Sequence, residues 1–107
     1  MTPKDIIEKK IAKKLRGEPH KTKDINAVIA IDLSGEQGGR WVIDCTKNPA
    51  QICEDTKTQV EMTIKMKDTD FIEMSNGELN PQMAFLFGKI KIDGDMSLAL
   101  KIGQLLA

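Results

Sequence analysis

Along residues 60–67 apolar and polar side chains alternate without a break: Val60, Met62, Ile64 and Met66 against Glu61, Thr63, Lys65 and Lys67. A period of two predicts a strand with one buried face and one wet face. The same period runs twice upstream. Ala27, Ile29, Ile31 and Leu33 share one face of "NAVIAIDL"; Trp41, Ile43 and Cys45 share one face of "GRWVIDCT". The glycine-rich "SGEQGG" between them predicts a β-hairpin. Val28 and Ala30 keep the second face of the first run partly apolar, which predicts some cover there. Asn48-Pro49 marks a turn, "AQICED" suits a short strand, and "KIKID" alternates again with Ile90 and Ile92 inward.

Helical spacing accounts for most of the rest. Thr2 caps, Pro3 takes the first helical position, and Ile7, Ile11 and Leu15 follow four apart with Ala12 alongside. Lys9, Lys10, Lys13 and Lys14 fill the other side, a face that is either simply solvated or suited to anionic headgroups. Gly17 and Pro19 end this helix, and the polar "GEPHKTKD" reads as a loop. Further on, Asp68 or Thr69 caps a helix with Phe71 and Met74 three apart and Gly77 as its stop. Asn80 caps another, with Pro81 first and Met83 to Phe87 filling a turn or two before Gly88. Asp95 caps a final helix. There Ser97, Lys101 and Gln104 form one narrow polar stripe among Met96, Leu98, Ala99, Leu100, Ile102, Leu105 and Leu106. A helix lying on a sheet needs an apolar arc of about 100°, and this one has about twice that. It must be covered on two sides, line a space, or meet a partner.

The chain has 107 residues, which suits one domain over 1–107. Sixteen cationic residues balance sixteen anionic ones, so the basic surplus that phosphate backbones demand is missing and nucleic acid is not the expected partner. No apolar run is long enough to span a bilayer, and "MTPKDIIEKK" lacks the core of a secretory signal. Cys45 and Cys53 are expected to be reduced thiols. Together with the single His20 they are too few to hold a metal. Nucleophilic catalysis needs a nucleophile, a base and an orienting group, and His20 with Cys45 would be a bare dyad. Asp68-Thr69-Asp70 and Asp93-Gly94-Asp95 read as caps and turns. "SGEQGG" fits neither GxGxxG nor a P-loop. The expectation is a protein that is not an enzyme and uses no cofactor.

One long stretch carries more than pattern. "DFIEMSNGELNPQMAFLFGKIKIDGDMSLALKI" resembles the signature region of the sterol carrier protein 2 family, the non-specific lipid-transfer domain. The matching elements are Asp70-Phe71, Gly77-Glu78-Leu79, Pro81 through Phe85, Gly88-Lys89-Ile90-Lys91 and Gly94-Asp95-Met96. Upstream, "DLSGEQGGRWVID" resembles the family's first hairpin, Trp41 included. The resemblance runs from the first helix to Leu106. It implies an α/β (α+β) domain: a five-stranded, mostly antiparallel sheet with helices packed on one face around a hydrophobic tunnel. It further implies non-catalytic binding, and transfer between membranes, of fatty acids, fatty acyl-CoA, phospholipids and sterols. The family's ligand-facing glutamine in the Pro-Gln motif falls on Gln82, and a ligand-facing position of the last helix falls on Leu100, where some members carry a polar residue.

With the apolar candidates added, the expected ligand contacts are Phe71, Met74, Gln82, Met83, Leu86, Leu100 and Leu105, a mostly apolar set with one polar group. Flexible methionines, six in the chain, suit varied lipid tails. The expected ligand is a long-chain fatty acid or acyl-CoA, held by a monomer, or at most a weak dimer, that touches membrane surfaces transiently. Peroxisomal members end in a small-basic-Leu tripeptide; this chain ends "QLLA", which points to the cytoplasm. Phe87 stands where the family often has a small residue, and either narrows the tunnel or packs in the core. Two other readings stay open. The greasy last helix could serve as a protein-interaction surface, or the chain could be an accessory domain cut from a larger enzyme, although its plain Met1 start and terminal helix suggest a free-standing protein.

Overall fold

The computed structural model describes residues 2–17, 19–47 and 50–98. Helix α1 occupies residues 3–17, in three consecutive pieces, Pro3–Asp5, Ile6–Ile11 and Ala12–Gly17, and α2 spans Pro19–Ile25. Strands β1 (Val28–Ser34), β2 (Gly39–Asp44), β3 (Gln51–Glu54) and β4 (Met62–Lys67) follow. Helices α3 (Asp68–Ser75) and α4 (Pro81–Leu86) precede the last strand, β5 (Lys91–Gly94). The strands form one sheet in the order β3-β2-β1-β4-β5. Every pairing is antiparallel except β1 with β4, so the five-stranded, mostly antiparallel sheet expected from the sequence is present. Residues 96–98 begin a further helical turn, opened by the Asp95 carboxylate, which accepts from the Ser97 N–H at 2.9 Å. The remainder of the predicted last helix lies outside the described residues.

Register puts the apolar rows together. Ile29 stands opposite Ile43 and Met62, Ile31 opposite Trp41 and Ile64, and Leu33 beside Met66. Ile52 and Ile92 extend the same face to the two edges. Helices cover that face with Ile6, Ile7, Ile11 and Leu15 from α1, Ile25 from α2 and Phe71 from α3; Leu98 joins them. The other face carries Asp32, Arg40, Lys65 and Asp93. At its centre Ala30 pairs with Val42 on one side and Thr63 on the other. Both Ala30 and Val42 are buried, as the apolar character of that run suggested.

The middle of α1, Ile6–Ile11, is wound as a π-helix. A π turn brings residues five apart into line, so Ile6 joins Ile11 on the sheet side. The spacing of four had picked out Ile7, Ile11 and Leu15 and passed over Ile6. All four are buried. The apolar stripe of α1 is therefore fully engaged with the sheet, and α1 offers solvent mainly charged side chains, its lysines with Glu8 and Arg16. One of these, Lys10, donates from Nζ to the Ser75 carbonyl at 2.6 Å and to its hydroxyl at 3.1 Å, tying α1 to the end of α3.

Two local expectations are corrected. The "GEPHKTKD" segment is not a loop, because most of it lies in α2. The only large apolar residue of α2 is Ile25, at its end, so the segment shows no apolar period. Its inward side is Thr22 and Ile25, three apart and both buried. Neither Asp68 nor Thr69 caps α3: the cap position falls on Lys67, without a side-chain hydrogen bond. Asp68 is the first helical residue. Its carboxylate accepts from the Thr69 N–H at 2.8 Å and, across the fold, from the Gln37 N–H at 3.0 Å. That second bond fastens the β1–β2 turn to the start of α3. Gly35, in the same turn, has φ +106°, and a Cβ there would lie 2.2 Å from Asp68 Oδ1.

Gly35→Ala is accordingly expected to cost about 2 kcal/mol or more, from left-handed backbone strain plus displacement of the Asp68 carboxylate. Gly17→Ala, where an added Cβ meets nothing within 4 Å, should be neutral or stabilise α1 by up to about 1 kcal/mol. Urea unfolding of the two variants checks this, and equal midpoints would refute the latch.

Candidate functional site

Ile6 and Ile11 of α1 meet Phe71 and Met74 of α3 around a crevice of about 10 Å³, which Lys10, Lys14 and Ser75 also line. Phe71 is buried and Met74 partly so. Two of the expected ligand contacts are thus brought to one place. The enclosed space, however, is about that of one water molecule, whereas lipid-sized pockets begin near about 300 Å³. Among the described residues no tunnel of that size is enclosed. Leu100 and Leu105, two of its expected walls, lie outside them.

Helix α4 holds the next group. Asn80 caps it as expected, accepting at Oδ1 from the N–H groups of Gln82 at 2.8 Å and Met83 at 3.3 Å. Ala84 alone is buried. After Gly88 turns the chain, the Ala84 carbonyl accepts from the Lys89 N–H at 2.8 Å, so this short helix is anchored through one small residue. Its large apolar side chains face outward: Met83 is 45% exposed, Phe85 47%, Leu86 74% and the following Phe87 69%, with Met96 at 53%. Leu86, two positions beyond Ala84, lies nearly opposite it around the helix. Phe87 neither narrows a tunnel nor packs in the core here. Gln82 is exposed on the same helix. Gln82, Met83 and Leu86 therefore share α4, apart from the crevice that holds Phe71 and Met74.

Sequence reasoning missed two features. A wide groove of about 570 Å³ is lined by Lys65, Lys67, Lys89 and Lys91 together with Asp32 and Asp70. These lysines are separated in the sequence and meet only through the β4–β5 ladder, where Lys65 opposes Lys91; nothing short of the strand pairing would reveal them. The second feature is Trp41. It is almost completely buried, and its Nε1–H has no hydrogen-bond partner among the described residues. An orphaned buried donor costs about 1–3 kcal/mol.

The thiols are free, as the sequence suggested. Cys45 belongs to the buried cluster on the helix-covered face. Cys53 is exposed and pairs with Val42 on the other face. Burial, with a smaller contribution from the neighbouring Asp44 charge, pushes the Cys45 thiol up to about 11. Among the described residues no three His, Cys, Asp or Glu side chains gather to hold a metal, and no helix is long and apolar enough to cross a membrane.

A five-stranded sheet with one parallel pairing, covered on one face by residues of α1, α2 and α3, defines an α+β domain. The chain belongs to the SCP-2 sterol transfer family, whose sequence profile matches residues 7–107; membership implies lipid binding or transfer. Human sterol carrier protein 2 is 34% identical over 105 residues, 94% of this chain and 19% of its own length. Hydroxysteroid dehydrogenase-like protein 2 of Bos taurus is 39% identical over 85 residues, 78% of this chain and 20% of its own. The chain thus spans about a fifth of the length of these relatives. The solution structure of the sterol carrier protein domain 2 of Helicoverpa armigera superposes with a TM-score of 0.74 at 25% identity, covering 99% of this chain and 90% of that one.

With one thiol in the core and one on the surface, a thiol reagent at mild alkaline pH is expected to label Cys53 quickly and Cys45 only on unfolding. Mass spectrometry of the labelled protein checks this; fast double labelling would show that the core opens. The raised Cys45 thiol also sets a pH trend. Its neutral form is favoured in the folded state, so stability is full below the unfolded thiol value of 9.0 and falls as pH rises towards 11. Cys45→Ala should flatten that decline in denaturation midpoints measured across the range.

Proposed function

We propose that residues 1–107 form a single non-catalytic carrier domain for long-chain lipids: fatty acids, fatty acyl-CoA, phospholipids and sterols. The observation that carries this reading is the outward apolar surface of α4. A small monomer seldom leaves a row such as Met83, Phe85, Leu86 and Phe87 in water unless something apolar binds there. In this reading Phe71 and Met74 give the lipid tail its floor, Met83 and Leu86 give one wall, and Leu100 and Leu105 give the other. Gln82, the one polar member, hydrogen-bonds the ligand's oxygen. The crevice between α1 and α3 widens as the flexible Met74 side chain moves aside. Specificity is expected to be low, because the contacts offer apolar area and a single polar group. Transfer between membranes is part of the same proposal. The same apolar surface would also suit another protein chain, and that alternative predicts a lipid-free dimer.

Native mass spectrometry of the purified protein should find lipid at about one per chain, and competition should favour palmitate-like ligands over soluble polar metabolites. An empty stable dimer, or preference for a polar metabolite, would overturn the carrier. Gln82→Ala should weaken fatty-acid binding by about 1 kcal/mol, the usual net value of one hydrogen bond. Its melting temperature should hardly change, since Gln82 is exposed. A collapse of stability instead would mark Gln82 as structural.

A further inference from the structure

We infer that the interior of the domain receives a lipid tail bearing an acceptor oxygen, and that the Trp41 indole N–H holds that oxygen. Trp41 lies in β2 on the helix-covered face, in a cross-sheet row with Ile31, Ile64 and Ile92. Only 2% of it is exposed, and its Nε1 is the one buried side-chain nitrogen or oxygen left without a hydrogen-bond partner among the described residues. The ring is closely seated. A Cβ at Gly39 would lie 2.9 Å from Cη2 and 3.2 Å from Cζ3, so the benzo edge fills the space that this glycine leaves free. Glu54 is the register partner of Trp41 on β3. Its Oε2 lies 3.5 Å from the same Cβ position, on the benzo side of the ring, and its Oε1 lies 3.9 Å from Lys4 Nζ. Asp68, the one buried carboxylate among the described residues, already accepts from the N–H groups of Thr69 and Gln37.

The surroundings of the donor decide what can meet it. The cluster that holds Trp41 is otherwise aliphatic, aromatic or sulfur-bearing throughout. A buried water wants about three polar partners, and this cluster supplies a single strong donor. An oxygen carried on an apolar chain needs only that one donor, because the same side chains cover the rest of the chain. A buried donor without a partner is costly, so an oxygen-bearing tail relieves a cost that a plain tail leaves in place. This site rests on the carrier reading, in which Gln82 on the exposed side of α4 takes the head-group oxygen and the tail runs inward over Phe71, a member of the same cluster as Trp41. The oxygen that reaches Trp41 is therefore one on the tail. A keto group suits it best. A carbonyl only accepts, whereas a hydroxyl brings a proton that needs a further partner.

Stearate and three stearates with a keto group near the head, at the middle and near the end of the chain, each competed against a fluorescent fatty acid on the full chain, test it. At least one keto analogue should bind about fivefold more tightly than stearate, the factor that corresponds to one net hydrogen bond. Trp41 is the only tryptophan, so its indole N–H gives a single proton resonance. That resonance should move downfield with the preferred keto analogue and not with stearate. Replacing Trp41 by its benzothiophene analogue, in which sulfur stands for N–H in a ring of nearly the same shape, should abolish the preference. Stearate affinity should stay within about twofold, since stearate leaves the donor unpaired in either case. If the substituted protein does not fold, the wild-type resonance decides. The assignment is overturned if stearate binds and no keto analogue is preferred, if the resonance stays in place with the preferred analogue or moves equally with stearate, or if the benzothiophene protein keeps the preference; in each case the carrier reading stands. If neither stearate nor any keto analogue binds, the carrier reading and this site fall together.

Discussion

The parallel pairing of β1 with β4 is the constraint on which the rest of the molecule depends. Parallel neighbours cannot be joined by a tight turn, so the chain leaves β1, builds β2 and β3 on one side, and returns to lay β4 on the other. The register sets Ile29, Ile31 and Leu33 beside Met62, Ile64 and Met66. A slip of one residue would turn Lys65 and Lys67 towards the helices and the methionines towards water. Because β1 and β4 run in the same direction, their ends meet at one end of the sheet. That is why the turn after β1 can reach the start of α3, and why Gln37 finds Asp68 at 3.0 Å. On the wet face the same register places Asp32 by Lys65 and Ser34 by Lys67, two pairs that line the cationic groove.

This constraint also explains what could be read from the sequence. Strand faces were legible because each strand has one wet side, so Ile29, Ile31, Trp41, Ile64 and Ile92 announce their direction through alternation. Helix ends were legible where a side chain caps its own backbone, as Asn80 does. The partners of a strand are another matter. Nothing in "NAVIAIDL" distinguishes an antiparallel hairpin partner from a parallel one reached much later in the chain, and the family resemblance implied only that the sheet is mostly antiparallel; the parallel partner β4 emerges from the structure. Helix α2 was missed because, among its described side chains, Thr22 and Ile25 alone are buried. Asp68 was misread because its main partner, Gln37, is local in space and remote in sequence.

The site divides along the same line. Phe71 and Met74 were legible from a spacing of three on one helix, and they do meet in the crevice. Gln82, Met83 and Leu86 were legible as members of α4, but the direction in which α4 faces was not. That direction follows from the small Ala84 and the Gly88 turn, which anchor the helix by its narrowest side. The lysine groove was not legible at all, since it is assembled across a ladder from residues that look, strand by strand, like ordinary wet positions.

Energetics connects the narrow crevice to the greasy exterior. A dry void costs about 24 cal/mol per Å³ in engineered cores. A space of about 300 Å³, the lower end for a lipid-sized pocket, would cost about 7 kcal/mol at that slope. Small domains hold only about 5–15 kcal/mol in all, so even a twofold error leaves an open dry tunnel hard for this chain to sustain. Closing the space between α1 and α3 to about 10 Å³ removes that cost. Apart from that crevice, Met83, Phe85, Leu86 and Phe87 keep apolar area on the outside. Leaving Leu86 and Phe87 in water forgoes about 1.5–3 kcal/mol for each, a cost of the same order but of a different kind. A void strains the domain continuously, whereas wet apolar surface can be relieved by a lipid or a bilayer and released again. The proposed carrier function requires cargo to be taken up and given away, and surface area that a transient partner can cover supplies a driving force that is reversible.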